Sequence, residues 1–386
     1  MKALVNARML LAEGWRDDVC VVVEGDRIAA ILSDVPSGAE RIDLDGGTLL
    51  PGFIDVQVNG GGGLLFNDDP SVETIRVIAE THRRYGTTGM LPTLISDDLS
   101  VVEAGIRAVD AAIEAGVPGV LGIHIEGPFL NPVRRGIHSE NKIQPLQDRF
   151  LALLESGRRG KTLVTLAPEA ATPEQVARLT AAGVIASAGH SDAPYETVRD
   201  AIDNGLTGFT HIFNAMSPLL NRAPGMVGAA LEDPEVFAGI IADGYHLHPA
   251  TLRVALRAKG PERLMLVTDA MPSVGSDESV FLIHGREIHR EGDRLLGADN
   301  TLAGSTLTMA GAVKGMMEQG RVGLDVAAHM ASATPAAFLG LAGELGRIAP
   351  GFRADMVLVD EDLAVQQSWI AGVSRDLEAT TAQYVS

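Results

Sequence analysis

Three features of the sequence predict an α/β fold: a (β/α)8 TIM-like barrel with a small β-sandwich domain built from both chain ends. Between residues 53 and 268, eight apolar strand-like runs alternate with stretches of helical periodicity. The chain has 386 residues, more than the roughly 250 that a barrel alone needs. Both ends read as short strands broken by turns.

Residues 1–50 open the small β domain with "KALVNARML", "DVCVVVEGDRIAAIL" and "ERIDLDGGTLLPG", the second turning at Glu24-Gly25-Asp26. The barrel is assigned to 51–344, with strands at 53–58, 88–94, 120–126, 162–167, 184–189, 208–213, 237–242 and 263–268. The stretches between them, such as "PSVETIRVIAETHRRYG" and "DAPYETVRDAIDNG", carry apolar residues at helical spacing and open on Ser, Asp or Pro. After the eighth strand, "SVFLIHGREIHREGDRLLGADN" reads as an inserted β-hairpin, and "AGSTLTM" as a helix starting at about Ser305, its free N–H groups open to polar substrate atoms. Residues 345–386 return to strand character in "GRIAPGFRADMVLVDEDL". Because chain ends often lie close together, they join residues 1–50 in one sandwich. A doubly wound open sheet is the alternative, and the lack of a glycine fingerprint after any strand counts against it.

Composition narrows the function. The single cysteine, Cys20, excludes an intramolecular disulfide and suits a reducing compartment. "MKALVNARMLLAEGW" does not read as a signal peptide, and no run of 18 apolar residues occurs, so a cytoplasmic protein is expected. The net charge of −19 argues against nucleic acid and anionic membrane surfaces. A small anionic substrate would need a local cluster of donors.

Active sites of such barrels lie at the C-terminal ends of the strands. Glu126 closes "VLGIHIEGPFL", His190 closes "VIASAGHSD", His211 lies in "GFTHIFNAM" and Asp269 closes "RLMLVTDAM". Two histidines and a glutamate form a catalytic zinc set that leaves a fourth position to water, although iron, cobalt or manganese would accept the same donors. Asp269 would be the general base and then the acid. Taken singly, each histidine fits a structural hydrogen-bonding role, and Asp269 an N-cap or ion pair.

"LPGFIDVQVNG" resembles the opening of the amidohydrolase superfamily. "HIEGPFLNPVRRGIH", "SAGHSDA", "GFTHIFNAMSPL", "IADGYH", "LVTDAM" and "TLAGSTLTM" together resemble the N-acetylglucosamine-6-phosphate deacetylases within it. The resemblance implies hydrolysis of the acetamide of N-acetylglucosamine 6-phosphate to glucosamine 6-phosphate and acetate. It also implies one divalent metal per subunit, Zn2+ first among the candidates, held by Glu126, His190 and His211, with Asp269 transferring protons. Family members with His-x-His on the first strand can hold two metals, whereas Gln57-Val58-Asn59 resembles the single-metal form, in which Gln57 and Asn59 stand at the vacated second position.

Substrate contacts in the family match Ile137, His138, Asn214, Ala215, Arg222, Asp243, His246, Leu302, Ala303 and Gly304. A homodimer is implied, with Arg222 reaching the neighbouring active site. Three rivals stay open: N-acetylgalactosamine 6-phosphate as substrate, a cyclic-amide hydrolase, and a non-catalytic binding barrel. His82, His124, His248, His284, His289 and His329 read as packed or solvated.

Overall fold

The computed structural model describes residues 1–156 and 159–376; the last part of the segment assigned to the β domain, 377–386, lies outside the described residues. Eight strands, β1 (Phe53–Val58), β2 (Thr87–Ile95), β3 (Gly122–Glu126), β4 (Lys161–Leu166), β5 (Ile185–Ala188), β6 (Gly208–Phe209), β7 (Phe237–Ile240) and β8 (Leu264–Leu266), pair in sequence order as one parallel sheet. A parallel bridge between Val58 and Ala270 brings the first and last strands together. All nine residues of β2 are buried, as expected where helices cover one face and the barrel interior the other. Each predicted strand is present, and the sixth is the shortest. Beyond Phe209 the chain turns, with positive φ at His211, Phe213 and Ala215, so the apolar run of the sequence continues there as a loop.

The helix Val72–Arg83 shows why the intervening segments are helical. Ser71 caps it by accepting from the Thr74 amide at 3.2 Å, Glu73 lies in its first turn, and His82 and Arg83 lie in its last. Ile75 and Ile78 are buried on it, and Val77, Thr81 and His82 lie against the glycines that follow β1. A Cβ on Gly60 would come within 2.4 Å of the Leu64 carbonyl, and one on Gly61 within 3.0 Å of the His82 ring. The glycine cluster is therefore a close-packing device.

His82 bonds through Nε2 to the Gly60 carbonyl at 2.9 Å, and burial pushes its pKa down to about 4. Above pH 6.5 both the folded and the unfolded forms are neutral. As pH falls from 6.5 toward 4 the unfolded chain takes up the proton first, so up to about 3 kcal/mol of stability is lost in that window. His82→Gln keeps a donor for Gly60 and removes the titration. Urea midpoints at pH 7 and pH 5 should differ less for this variant than for the wild type.

The remaining strands build the second module. A four-stranded sheet comprises Arg27–Leu32, Cys20–Glu24, Lys2–Val5 and Glu40–Asp43. A six-stranded sheet combines Val373–Asp376, Val365–Ile370 and Met356–Val359 with Thr48–Pro51, Arg8–Leu11 and Gly14–Arg16. The two ends meet where Met356–Val359 runs antiparallel to Thr48–Pro51. Leu4, Met9, Val21, Ile28, Leu49, Met356 and Trp369 share one core between these layers.

After β8 the predicted hairpin appears as Val280–Ile283 and Arg286–Glu291, followed by a third strand, Arg294–Leu296. Its two-residue turn is His284-Gly285, with φ of 47° and 77°, the positive pair that a tight hairpin turn needs. The helix expected from about Ser305 starts instead at Met309, capped by Thr308. Ser305 is drawn into the barrel: its amide donates to the Asp269 carbonyl at 2.9 Å and its hydroxyl to the Thr268 carbonyl. Its groups are thereby spent on the backbone rather than offered to a ligand. Among the described residues, no helix is long and apolar enough to cross a membrane.

Candidate active site

The four chemistry-bearing residues come together at the C-terminal ends of the strands. Glu126 is the last residue of β3, while His190, His211 and Asp269 stand just past β5, β6 and β8. The last three have φ of 49°, 35° and 53°, a left-handed backbone that costs a residue with a Cβ roughly 1–2 kcal/mol. Strain of this kind collects at functional sites.

Glu126 Oε1 lies 3.2 Å from His190 Nε2 and 3.1 Å from His211 Nε2, and the two ring nitrogens are 3.0 Å apart. All three residues are buried. His190 Nδ1 lies 2.9 Å from the Arg134 carbonyl, and a carbonyl can only accept, so Nδ1 carries a proton. In the neutral ring Nε2 is then a bare lone pair aimed at a carboxylate oxygen and a second imidazole, a crowding of acceptors that a proton or a metal ion among them relieves. Zinc bonds of roughly 2.0–2.2 Å at tetrahedral angles set donor atoms about 3.4 Å apart, so this triangle fits a small divalent ion after a slight expansion. Burial would push the Glu126 carboxyl up, but the two imidazoles against it, which donate to it when protonated, hold it well below the usual range.

His138 also falls near this group; its donor atom lies with those of Glu126 and His190 within 4.8 Å of one another. Its tautomer separates it from the ligands. The backbone N–H of Ser96 donates to His138 Nδ1 at 3.1 Å, and the Ser96 hydroxyl lies 2.7 Å from the same nitrogen. An amide can only donate, so Nδ1 bears no proton and Nε2 does. His138 thus faces the cavity as a hydrogen-bond donor, without a lone pair for a metal.

Gln57 and Asn59 point the same way from β1, as their spacing predicts. Gln57 Nε2 spans Glu126 Oε1 at 3.1 Å and Asp269 Oδ1 at 3.2 Å, and Asn59 Nδ2 donates to Asp269 Oδ1 at 2.6 Å. Neutral amides therefore hold two carboxylates side by side, leaving Asp269 Oδ2 free of these bonds. Burial first, and the charge of Glu126 second, pushes Asp269 up to about 6.

A cavity of about 450 Å3 opens over this cluster. Ile137, His138, Asn214, Ala215, His246, Leu302 and Gly304 line it. Three other residues singled out in the sequence lie elsewhere. Ala303 is packed into an apolar cluster with Leu65 and Met271. Asp243 accepts from His246 Nδ1 at 2.6 Å and from the Tyr245 and His246 amides, so it orients His246. Arg222 is exposed, outside the cavity of its own chain, on a segment that also exposes Leu219 and Leu220. His124 is buried and bonds Thr165 Oγ1 at 2.7 Å beneath the cluster, a packed role as expected.

Several contributors escaped the sequence reading. Arg134, Asn300 and Thr301 line the cavity. Glu169, following β4, accepts from Ser191 Oγ at 2.6 Å, the Asp192 amide at 2.9 Å and Asn131 Nδ2 at 2.8 Å. It ties the loop after β3 to the segment of His190. Ser96 and Asp97 end β2 as polar residues after an apolar run, the same signal that marked the four primary candidates.

The chain is similar over nearly its full length to characterised proteins. It is 45% identical over 374 residues to an N-acetylgalactosamine-6-phosphate deacetylase of Shewanella sp. (strain ANA-3), covering 96% of this chain and 95% of that one. It is 33% identical over 361 residues to an N-acetylglucosamine-6-phosphate deacetylase of Haemophilus influenzae, covering 92% and 94%. Among solved structures, N-acetylglucosamine-6-phosphate deacetylase from Pasteurella multocida superposes with a TM-score of 0.94 at 34% identity, over 97% of this chain and 99% of that one. The general model of the amidohydrolase family matches residues 48–382. With the parallel barrel, the Glu-His-His cluster and these full-length likenesses together, the chain belongs to the amidohydrolase family.

Proposed function

We propose that the protein hydrolyses the acetamide of N-acetylglucosamine 6-phosphate to glucosamine 6-phosphate and acetate. The observation that carries this reading is the convergence of Glu126, His190 and His211 on one point, with Asp269 held beside them under a cavity of sugar size. A divalent ion bound by those three residues, zinc first among those the donor set suits, supplies a Lewis acid for the acetamide carbonyl and a water of lowered pKa.

Asp269 Oδ2 takes the proton of the attacking water and returns it to the departing amine, while Gln57 and Asn59 hold Oδ1 in place. His138 Nε2–H donates to the carbonyl oxygen as negative charge builds there. His246, oriented by Asp243, meets the phosphate together with Arg222 of the partner subunit. Asn214, Ala215, Leu302 and Gly304 shape the sugar pocket beside Ile137.

A second reading, the galacto epimer, is favoured by the 45% identity to the Shewanella galactosamine enzyme. Acetate release from both 6-phosphates, by metal-stripped and zinc-loaded protein, tests the two readings together. Zinc-dependent release from one epimer, absent with the unphosphorylated sugars, supports that epimer. Silence on both points to a cyclic amide or to a non-catalytic barrel.

The exposed Leu219 and Leu220 beside Arg222 support a homodimer in which this segment is covered. Arg222→Ala is expected to raise KM roughly tenfold or more, the loss of one charge-assisted phosphate contact, with kcat nearly unchanged. Mixed dimers of Arg222→Ala and Asp269→Asn chains should regain the normal KM, because the intact Arg222 then serves the intact Asp269. Failure to regain it would place Arg222 in its own subunit's chemistry. We also propose a cytoplasmic location, which the lone Cys20 supports, and a division into a catalytic barrel over 51–344 and a β domain from 1–50 and 345–386.

A further inference from the structure

The hairpin that follows β8 carries no residue of the proposed reaction, yet its tip is planted at the back of the site. His284 Nε2 lies 3.1 Å from Asp97 Oδ2. Asp97 is only about 6% exposed and also receives Lys142 Nζ at 3.0 Å, Asn67 Nδ2 at 3.1 Å and the Asp98 amide at 2.8 Å. Burial would push this carboxyl up, but His284, Lys142 and the other donors hold it far below its usual range. Asn67 is itself fixed by two 3.0 Å bonds to the Ile95 backbone, so the end of β2 is braced from several sides.

The neighbouring residue is the one that matters to the site. Ser96 holds His138 Nδ1 through its amide and hydroxyl, while Asp97 holds Lys142, four residues further along the same loop. The hairpin grips that loop a second time, since Arg286 donates to the Ile137 carbonyl and lies 3.4 Å from Ser139 Oγ. Ser96 and Asp97 thus hold His138 and Lys142 directly, Arg286 beside the turn holds Ile137, and His284 within the turn reaches the same segment through Asp97.

We propose that His284 is a positioning residue: through Asp97 it fixes the strand end and loop that hold His138 as an Nε2–H donor toward the substrate. This rests on the role given to His138 above. Misplacement of a catalytic donor by about 1 Å can cost on the order of 100-fold in rate, so a loosened clamp reads out in kcat.

The test is a double-mutant cycle with zinc-loaded full-length protein. His284→Ala should lower kcat roughly 10- to 100-fold with metal content unchanged, and His284→Gln, which keeps a donor for Asp97, should restore most of it. In a His138→Gln background the same His284→Ala change should have almost no further effect. In parallel, 15N spectra of histidine-labelled protein should show His138 with Nδ1 unprotonated and Nε2 protonated, and should show that signal broadened or split in His284→Ala. An unchanged kcat in His284→Ala, or an equal loss in the His138→Gln background, overturns the proposal. If the wild type is silent on both epimers the reaction assignment fails, and the His138 signal decides on its own: unaltered by His284→Ala, it removes the clamp as well.

Discussion

Asp269→Asn lowers kcat by roughly 10²–10⁴-fold, the range a positioned general base contributes, and leaves KM and bound metal close to wild type. The amide introduced by this change keeps an oxygen for the Asn59 and Gln57 donors that now reach Asp269 Oδ1 at 2.6 and 3.2 Å. Its nitrogen then replaces Oδ2 and can no longer accept a proton from water. The backbone favours this substitution over others, since Asp269 has φ of 53° and asparagine is among the residues most at ease there. The variant should therefore fold, and steady-state kinetics with circular dichroism and metal analysis separates lost chemistry from lost structure. An effect on kcat and kcat/KM alike is the mark of a group used in the transition state. Full turnover by Asp269→Asn would remove Asp269 from proton transfer.

Removing a ligand is expected to act one step earlier, on the metal itself. Glu126→Gln, His190→Ala and His211→Ala should each weaken metal binding by on the order of 100-fold or more, given that losing an outer hydrogen-bonding partner alone costs about 10–100-fold. His138→Ala should keep its metal and lose turnover, because Ser96 leaves His138 a proton rather than a lone pair on the cavity side. Metal content after dialysis, by elemental analysis, distinguishes the sets. If His138→Ala emptied the site while His211→Ala stayed loaded, the ligands would be Glu126, His138 and His190, whose donor atoms also cluster.

The barrel was legible because each strand is a short apolar run between polar helical stretches, and parallel strands are buried on both faces. The primary site was legible for the same reason. Glu126, His190, His211 and Asp269 interrupt apolar runs where a barrel strand must end, and a barrel sends all such ends to one rim. Ser305 misled the reading because its hydroxyl and amide close local bonds to Thr268 and Asp269, a capture that depends on a strand more than thirty positions away. His284 read only as a packed or solvated histidine until the fold set it against Asp97, 187 positions earlier in the chain.

What the sequence by itself determined is the element order, the barrel, the polar residues at the strand ends and the shared face of Gln57 and Asn59, since all of these follow from periodicity and residue type. Tertiary structure alone decided which nitrogen of His138 carries the proton, why Asp243 serves His246, and how Glu169 and Asp97 brace the loops around the site. Those are matters of hydrogen-bond direction between segments far apart in the chain, and direction exists only once the partners are placed.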